Sequence, residues 1–340
     1  MLLRQGKHIC SYSFRTIANC LDEFLRGRGL GAVLLSNPAN PTGQSIEGEN
    51  LKKYVQTARE CEMSIIFDEF YSHYYYDGEG IDPADGGVDD DTNWPKTVSS
   101  ASYVEDVNVD PIIIVNGLTK NWRCPGFRLC WIVAPAPIVE MLASAGSFLD
   151  GGANSPLQRL ALPLMDLDFI RKDVSITFSF NVEKNIYFVI NKILRFLHTQ
   201  AWALQRHFRN KRDFLLEELE KLGIKVQFKP TATFYVWGNL SNLPPPLNDC
   251  LVFLEECVKH KVICVPGVFF DVNPRGVRHV IRSQSISNVR FSYGPPMRNL
   301  VNGVKHMRQM IDLWKEHPMT ASIYEKKRSS CEDLPSEAVE

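Results

Sequence analysis

The sequence has no excess of either charge, since 38 Lys and Arg residues stand against 39 Asp and Glu in 340 residues. Without a basic surplus it offers no polybasic footprint for nucleic acid or anionic lipid. No apolar run approaches the ~20 residues needed to span a bilayer, so nucleic-acid and membrane functions fall away. No secretory signal is visible either. Met1 to Cys10 mixes Arg4, Lys7 and His8 with small and polar residues and has no apolar stretch before a small-residue cleavage site. No CxxC pair occurs among the nine cysteines (Cys10, Cys20, Cys61, Cys124, Cys130, Cys250, Cys257, Cys264, Cys331), and their odd number leaves at least one without an intramolecular partner. Buried or free thiols in a reducing cytoplasm are expected, with no metal site. No internal repeat occurs at solenoid or propeller periods. What remains is an ordinary globular composition, 44% hydrophobic and 23% charged, with length for one large and one smaller domain.

The first two-thirds alternates strand-like and helix-like segments. Ala32 to Leu35 is a short apolar run of the kind a strand buried on both faces shows, and it stops at the turn cluster Ser36 to Gly43. Leu51, Tyr54, Val55, Ala58 and Cys61 recur at helical spacing. Ser64 to Phe67, Ile112 to Val115 and Leu129 to Val133 predict further strands, with a polar excursion from Asp77 to Asp110. This alternation predicts right-handed crossovers and a largely parallel sheet. A charged helix from Arg206 to about Lys221, strands at Phe234–Trp237, Val262–Val265 and Val289–Ser292, and a last helix from about Met297 to Trp314 predict a smaller α+β domain. The polar tail from Pro318 reads as disordered.

Three polar residues follow the carboxyl ends of three predicted parallel strands: Asn40, Asp68 and Lys120. Ligands of open α/β sheets bind at that edge. Each residue also has an ordinary structural explanation. Asn40-Pro41 is a common turn pair, Asp68 could cap a helix, and a single lysine is usually a solvated surface residue.

Their order and neighbours favour chemistry. Asn37-Pro38-Ala39-Asn40-Pro41-Thr42-Gly43, then Asp68-Glu69-Phe70-Tyr71, then Thr119-Lys120 followed by Pro125-Gly126-Phe127-Arg128 resemble the ordered motifs of fold-type I pyridoxal-phosphate aminotransferases of class I/II. The resemblance runs from about Ala32 to Leu313. It implies a pyridoxal 5'-phosphate cofactor bound as a Schiff base to Lys120, with Asp68 pairing the pyridine nitrogen. It further implies that Asn40 and Tyr71 bond the cofactor's phenolic oxygen, that Arg128 holds its phosphate, and that Arg290 in Val289-Arg290-Phe291-Ser292 holds the substrate α-carboxylate. Pro230 with Phe234-Tyr235, and Val265-Pro266-Gly267, resemble landmarks of the family's small domain.

The residue types suit that chemistry. A lysine amine can form an imine with an aldehyde, be displaced by an amino acid, and then move the α-proton. A carboxylate beside the pyridine nitrogen favours its protonated form, so the ring accepts the electrons left when a Cα bond breaks. The planar fork of arginine matches a carboxylate or a phosphate, where lysine supplies a point charge. For Arg128 and Arg290 the competing explanation is a surface ion pair.

Several positions depart from the resembled pattern. Gly117 stands where many members carry a phosphate-binding serine, Cys130 where a glycine often follows the arginine motif, and Ala232 where glycine often precedes Phe234-Tyr235. Upstream, the family carries a Gly-rich phosphate loop and an aromatic residue that stacks on the cofactor, and no such loop lies before Ala32 here. The expectation is a chain lacking the family's amino-terminal part, with weak cofactor binding.

A further anomaly spans Val174 to Gln200, a segment of 27 residues rich in Ile, Phe, Asn and Lys, after which family-like sequence resumes at Ala201. Val-Ser can be encoded by GTGAGT and Gln by CAG, the ends of a typical intron, so a retained intron translated in frame is expected, against a genuine insertion. Ile176–Phe180 and Ile186–Ile190 within it are β-prone windows. The resulting domain plan is 1–173 for an α/β cofactor-binding domain with a mostly parallel sheet flanked by helices, incomplete at its start. An anomalous insertion follows at 174–200, then the small domain at 201–316 and a disordered tail at 317–340.

The scaffold supports transamination of an L-amino acid with a 2-oxo acid, carbon–sulfur lysis, or cyclopropane-forming synthesis. The motifs fix the cofactor rather than the outcome. Transamination leads, because it is the commonest activity of the resembled family, and a truncated, inactive homologue is the reading of another class. No Lys, Arg or His occurs between Arg128 and Arg159. Dicarboxylate-specific relatives carry an arginine there, so a neutral or aromatic donor is expected. The cluster Tyr71, His73, Tyr74, Tyr75 and Tyr76 is either part of such a pocket or an aromatic packing edge. The resemblance implies a homodimer.

Overall fold

The structure is a computed structural model, and it describes residues 2–4, 30–76, 97–149, 151–162, 204–271 and 283–316. The anomalous segment Val174–Gln200 and the tail 317–340 lie outside the described residues. The chain divides into two compact units: one holds Met1–Asn40, Gln44–Arg209 and Thr231–Thr233, the other Pro41–Gly43, Asn210–Pro230 and Phe234–Glu340.

The first unit is built on a five-stranded sheet of order β1-β2-β3-β4-β5. Its strands are β1 (Leu2–Arg4), β2 (Leu30–Ser36), β3 (Ser64–Asp68), β4 (Ile112–Gly117) and β5 (Cys130–Val133). The pairs β2–β3 and β3–β4 are parallel, while β1 and β5 run antiparallel to their neighbours. The reversal at β5 has a simple cause: the short segment from Leu118 to Leu129 holds no crossover helix, so the chain can only double back. Branched and aromatic residues on alternate positions of the central strands, Val33, Leu35, Ile65, Phe67, Ile112 and Ile114, supply the buried core.

Helix α1 (Gly48–Glu60) lays Leu51, Tyr54, Val55 and Ala58 on that core, together with Thr57, which the apolar spacing did not include. Its end is tied down by Arg59, whose Nε and Nη2 meet Asp110 Oδ1 at 2.5 Å and Oδ2 at 2.8 Å. Helix α2 (Ala136–Leu149) buries none of its residues and leaves Met141, Phe148 and Leu149 exposed. Helix α3 (Ser155–Ala161) starts at Asn154, whose side chain accepts from Leu157 N at 3.0 Å.

Helix α4 covers 204–221, and the division between units falls within it. The second unit carries an antiparallel sheet of order β6-β7-β9-β8, from β6 (Lys225–Val226), β7 (Tyr235–Asn239), β8 (Val265–Pro266) and β9 (Asn288–Ser292). Helices α5 (Cys250–Lys259) and α6 (Met297–Glu316) complete it. The strand expected over Val262–Val265 shrinks to Val265–Pro266. Its first residues are spent closing α5, where Lys261 takes φ +61° and Val262 N bonds Cys257 O at 2.8 Å.

Candidate active site

The parallel register sets Ser36 beside Asp68 and Asp68 beside Val115, so the carboxyl ends of β2, β3 and β4 are level. The turns leaving these three strands therefore share one edge. After β2, Asn37 is wholly buried: its side chain donates to Ile46 O at 2.9 Å and accepts from Ile46 N at 2.8 Å, while its own N–H meets Asp68 O at 2.9 Å. Asn37 thus fixes the turn, Ala39 N closes it on Gln44 O at 2.8 Å, and Asn40 is presented at its exposed tip.

After β3, adjacent carboxylates have different surroundings. Glu69 is buried and accepts from Ser99 Oγ at 2.6 Å, Ser100 N at 2.7 Å and Ser100 Oγ at 2.7 Å. Asp68 is half-buried, and the hydrogen bond it accepts is a long one from Phe70 N at 3.3 Å. Burial raises the Asp68 carboxyl above its ordinary value, opposed by the Phe70 N–H. A carboxylate in that condition favours a nearby cationic or N–H donor.

After β4 comes the turn that carries Lys120. Leu118 N bonds Leu129 O at 3.0 Å and Cys124 N bonds Leu118 O at 3.0 Å, so the turn is pinned at its base. Tyr74 donates its hydroxyl to Lys120 O at 3.1 Å. The Lys120 Nζ lies 5.9 Å from the centroid of the buried Tyr71 ring, within reach of its π face. Arg128, at φ +52° and exposed, donates to Pro125 O at 3.1 Å across the short turn Pro125–Phe127.

Gly117 has a steric requirement. A Cβ there would sit 2.8 Å from Leu129 O, 2.9 Å from the Phe70 ring and 3.0 Å from Cys130 Cβ. The position that carries serine in many members of the resembled family is closed in this chain.

Sequence reasoning missed Asn121, which orders the turn. Asn121 is buried, donates to Ser72 Oγ at 2.9 Å, Asn116 Oδ1 at 2.9 Å and Glu69 O at 3.3 Å, and accepts from His73 N at 3.0 Å. Its place directly after Lys120 was the available signal. The tyrosines Tyr71, Tyr74, Tyr75 and Tyr76 are all buried, and Tyr75 belongs to the sheet core, so the cluster packs. His73 packs at a tilt of 54° against Trp122, 4.8 Å between centroids, and burial, helped by the charge of Arg123, lowers it to about 4.

Arg290 lies in the second unit, at the middle of β9, opposite Trp237 of β7 and Val265 of β8. Its guanidinium carbon is 4.1 Å from the Tyr235 ring centroid and 5.0 Å from that of Phe270. Among the described residues no group of His, Cys, Asp and Glu could hold a metal ion, and no helix is long and apolar enough to cross a membrane.

The family model described as aminotransferase class I and II matches residues 13–299. The chain is 22% identical over 285 residues to an aspartate aminotransferase of Sulfurisphaera tokodaii, a match covering 83% of this chain and 56% of the relative. It is 24% identical over 280 residues to an aspartate/prephenate aminotransferase of Thermus thermophilus, covering 82% of this chain and 56% of that protein. A crystal structure of an aminotransferase from Mycobacterium tuberculosis superposes with a TM-score of 0.62 at 18% identity, over 86% of this chain and 60% of the other, which shows a shared fold. The chain thus spans less than two thirds of the length of these relatives. With 13–299 matched and the ordered residues Asn40, Asp68 and Lys120 set on one sheet edge, the chain belongs to the aminotransferase class I and II family.

Proposed function

We propose that the protein catalyses pyridoxal-phosphate-dependent transamination between an L-amino acid and a 2-oxo acid, with Lys120 as the residue that carries the cofactor and moves the α-proton. The observation that carries this reading is the shared edge of β2, β3 and β4, where Asp68 ends one strand and Lys120, 5.9 Å from the Tyr71 ring, follows the next.

Enzymes of this family use pyridoxal phosphate, which when bound supplies an electron sink for the bonds at Cα. The donor set fits it: an amine, a carboxylate, a phenol, an amide and a guanidinium all lie on or near one sheet edge. Lys120 offers the nucleophilic amine, and its main chain is held by Tyr74 so that the side chain alone needs to move. Asp68, raised by burial and served by one long N–H, would hold a proton on the ring nitrogen. Asn40 and Tyr71 would bond the phenolic oxygen, Arg128 the phosphate, and Arg290 the substrate α-carboxylate. The lack of any Lys, Arg or His between Arg128 and Arg159 supports a neutral or aromatic donor rather than a dicarboxylate. A cytoplasmic homodimer goes with this reading. It is supported by the apolar residues Met141, Phe148 and Leu149 that α2 leaves exposed, and sedimentation of the whole chain would show a monomer if it is wrong.

One observation favours a second reading, an inactive homologue: Gly117 has no room for the serine that many members of the resembled family use to hold the phosphate. Titration of the whole chain with pyridoxal phosphate, followed by borohydride reduction and peptide mass mapping, separates the two. The enzyme reading expects incorporation at Lys120, lost in Lys120→Ala, with saturation above stoichiometric cofactor because the phosphate is held by fewer groups. Absence of label at Lys120 at any cofactor concentration supports the inactive homologue. Given labelling, pyruvate release from cysteine conjugates would mark a lyase, and 2-oxo acid release from several amino acids a transaminase.

A further inference from the structure

Helix α5 ends by folding its chain back on itself. Lys261 takes φ +61°, its N–H bonds Val258 O at 3.0 Å, and Val262 N bonds Cys257 O at 2.8 Å. This is the paired closure of a helix end, with Lys261 in the left-handed position that glycine usually fills. The segment that follows is therefore led back along the last turn of the helix instead of away from it. Ile263 is left 87% exposed, whereas the next residue, Cys264, is 5% exposed and turns inward. Cys257, on the last turn of α5, is wholly buried, and the two thiols are hydrogen-bonded to each other.

Cys250, the other cysteine of α5, is kept apart from this pair. It starts the helix, two turns before Cys257 and about 10.5 Å away along the axis. Its sulfur accepts from the Gly267 and Val268 N–H groups. A disulfide needs Cα atoms within about 7 Å of each other, so Cys250 is out of reach of Cys257.

We propose that Cys257 and Cys264 form a reversible redox pair, closed to a disulfide by a peroxide and reopened by a dithiol, that staples the end of α5 to the start of β8. Cys264 has the little exposure that the pair offers, so it meets the oxidant first. Its thiolate attacks one peroxide oxygen, the O–O bond breaks, and the released hydroxide takes up the thiol proton as water, leaving a sulfenic acid on Cys264. The Cys257 sulfur, already in contact, then displaces the sulfenic hydroxyl. The S–S bond forms, and the Cys257 proton leaves with that hydroxyl as a second water. The two sulfurs give up two electrons and the peroxide is reduced to water. The bond to Cys264, and burial, push the Cys257 thiol up, which keeps it out of direct reaction with oxidant and reserves it for the second step. The closed ring runs from 257 to 264 and ends beside Val265, which pairs with Arg290, so the staple also fixes the edge strand of this sheet.

The test treats the whole chain, folded and fully reduced, with dilute hydrogen peroxide, and blocks the remaining thiols before peptide mapping. Cleavage after Glu256, Lys259 and Lys261 separates Cys257 from both Cys250 and Cys264, so a linked pair of peptides, lighter by two hydrogens, identifies the bond. The expected product is the Cys257–Cys264 link, lost on adding dithiothreitol, with a thermal midpoint several degrees above that of the reduced chain. Neither Cys257→Ala nor Cys264→Ala should show that reversible rise. In Cys257→Ala the sulfenic acid should persist at Cys264 for dimedone to label, while in Cys264→Ala Cys257 should stay reduced. The map of the parent chain stands even where a variant does not fold. A link from either residue to another cysteine, or both thiols still reduced once the exposed Cys130 is fully oxidised, overturns the pair. So does oxidation of Cys264 to an acid that dithiothreitol does not reduce, with Cys257 untouched. The link formed without any change in thermal midpoint overturns the staple.

Discussion

Asn121 Nδ2 lies 2.9 Å from Ser72 Oγ, so the residue after Lys120 is bonded to the turn that follows Asp68. The same amide reaches Asn116 at the end of β4 and receives His73 N–H. Lys120 is in this way registered against the strand before it and the carboxylate strand beside it. Truncation in Asn121→Ala removes the amide partner of the buried Ser72 hydroxyl and of the half-buried His73 N–H, and leaves Asn116 Oδ1 with the Gly117 N–H alone. The expected loss of stability is about 1–3 kcal/mol, read as a fall in the urea midpoint with unchanged slope. Capture of pyridoxal phosphate at Lys120 should slow in the same variant at temperatures where it is fully folded. Unchanged stability and unchanged capture together would remove Asn121 from any positioning role.

Acid should release the α1 anchor only at low pH. The Arg59 guanidinium beside Asp110, with the Glu105 and Asp106 N–H groups, holds the Asp110 carboxyl down from 3.8 to about 2. A depressed carboxyl contributes stability that is fully present above the unfolded value and is lost as pH falls through the folded one. The contribution of this pair should therefore hold above about pH 4 and vanish near pH 2. Urea midpoints of the parent chain and of Asp110→Asn, followed from pH 6 to pH 2, are expected to differ at the upper end and converge at the lower. A constant gap across that range would show that Asp110 ionisation is not what the substitution removes.

Much of the first unit was legible because its signals are local. Branched runs such as Ser64–Phe67 must be strands, and Leu51, Tyr54, Val55 and Ala58 share a helix face by spacing alone. The carboxyl-end positions of Asp68 and Lys120 followed from the strands, and the motif order supplied their roles as expectations. Three things were hidden. The antiparallel turn of β5 depends on the absence of a crossover helix, which the pattern did not weigh. The core status of Tyr74, Tyr75 and Tyr76 depends on tertiary neighbours, because an aromatic run fits a pocket and a packing edge equally well. The rings around Arg290 meet across strands that are distant in sequence, and Phe270 joins them only through the fold-back at Gly267. Helix α5 was missed although Asp249 caps it, its side chain accepting from Leu251 N at 2.8 Å.

The closed position at Gly117 yields the last prediction. In many members of the resembled family a serine here contacts phosphate, so Gly117→Ser is the obvious attempt to strengthen cofactor binding. In this chain the new Cβ would lie 2.8 Å from Leu129 O, which the Leu118 N–H holds, 3.0 Å from Cys130 Cβ, fixed by the β4–β5 pairing, and 2.9 Å from the Phe70 ring. Backbone cannot yield as a flexible side chain can, so β5 or the Lys120 turn must shift. Overpacking of this kind costs about 1–3 kcal/mol, and the shift would spoil the Leu118 to Leu129 bond that pins the turn. Gly117→Ser is therefore expected to lower the thermal midpoint and leave pyridoxal-phosphate affinity unchanged or weaker. Pairing it with Cys130→Gly removes one of the three obstructing contacts and should recover part of the stability. Tighter cofactor binding by the single Gly117→Ser variant, at undiminished stability, would mean that the sheet edge is more pliable than its hydrogen bonds indicate.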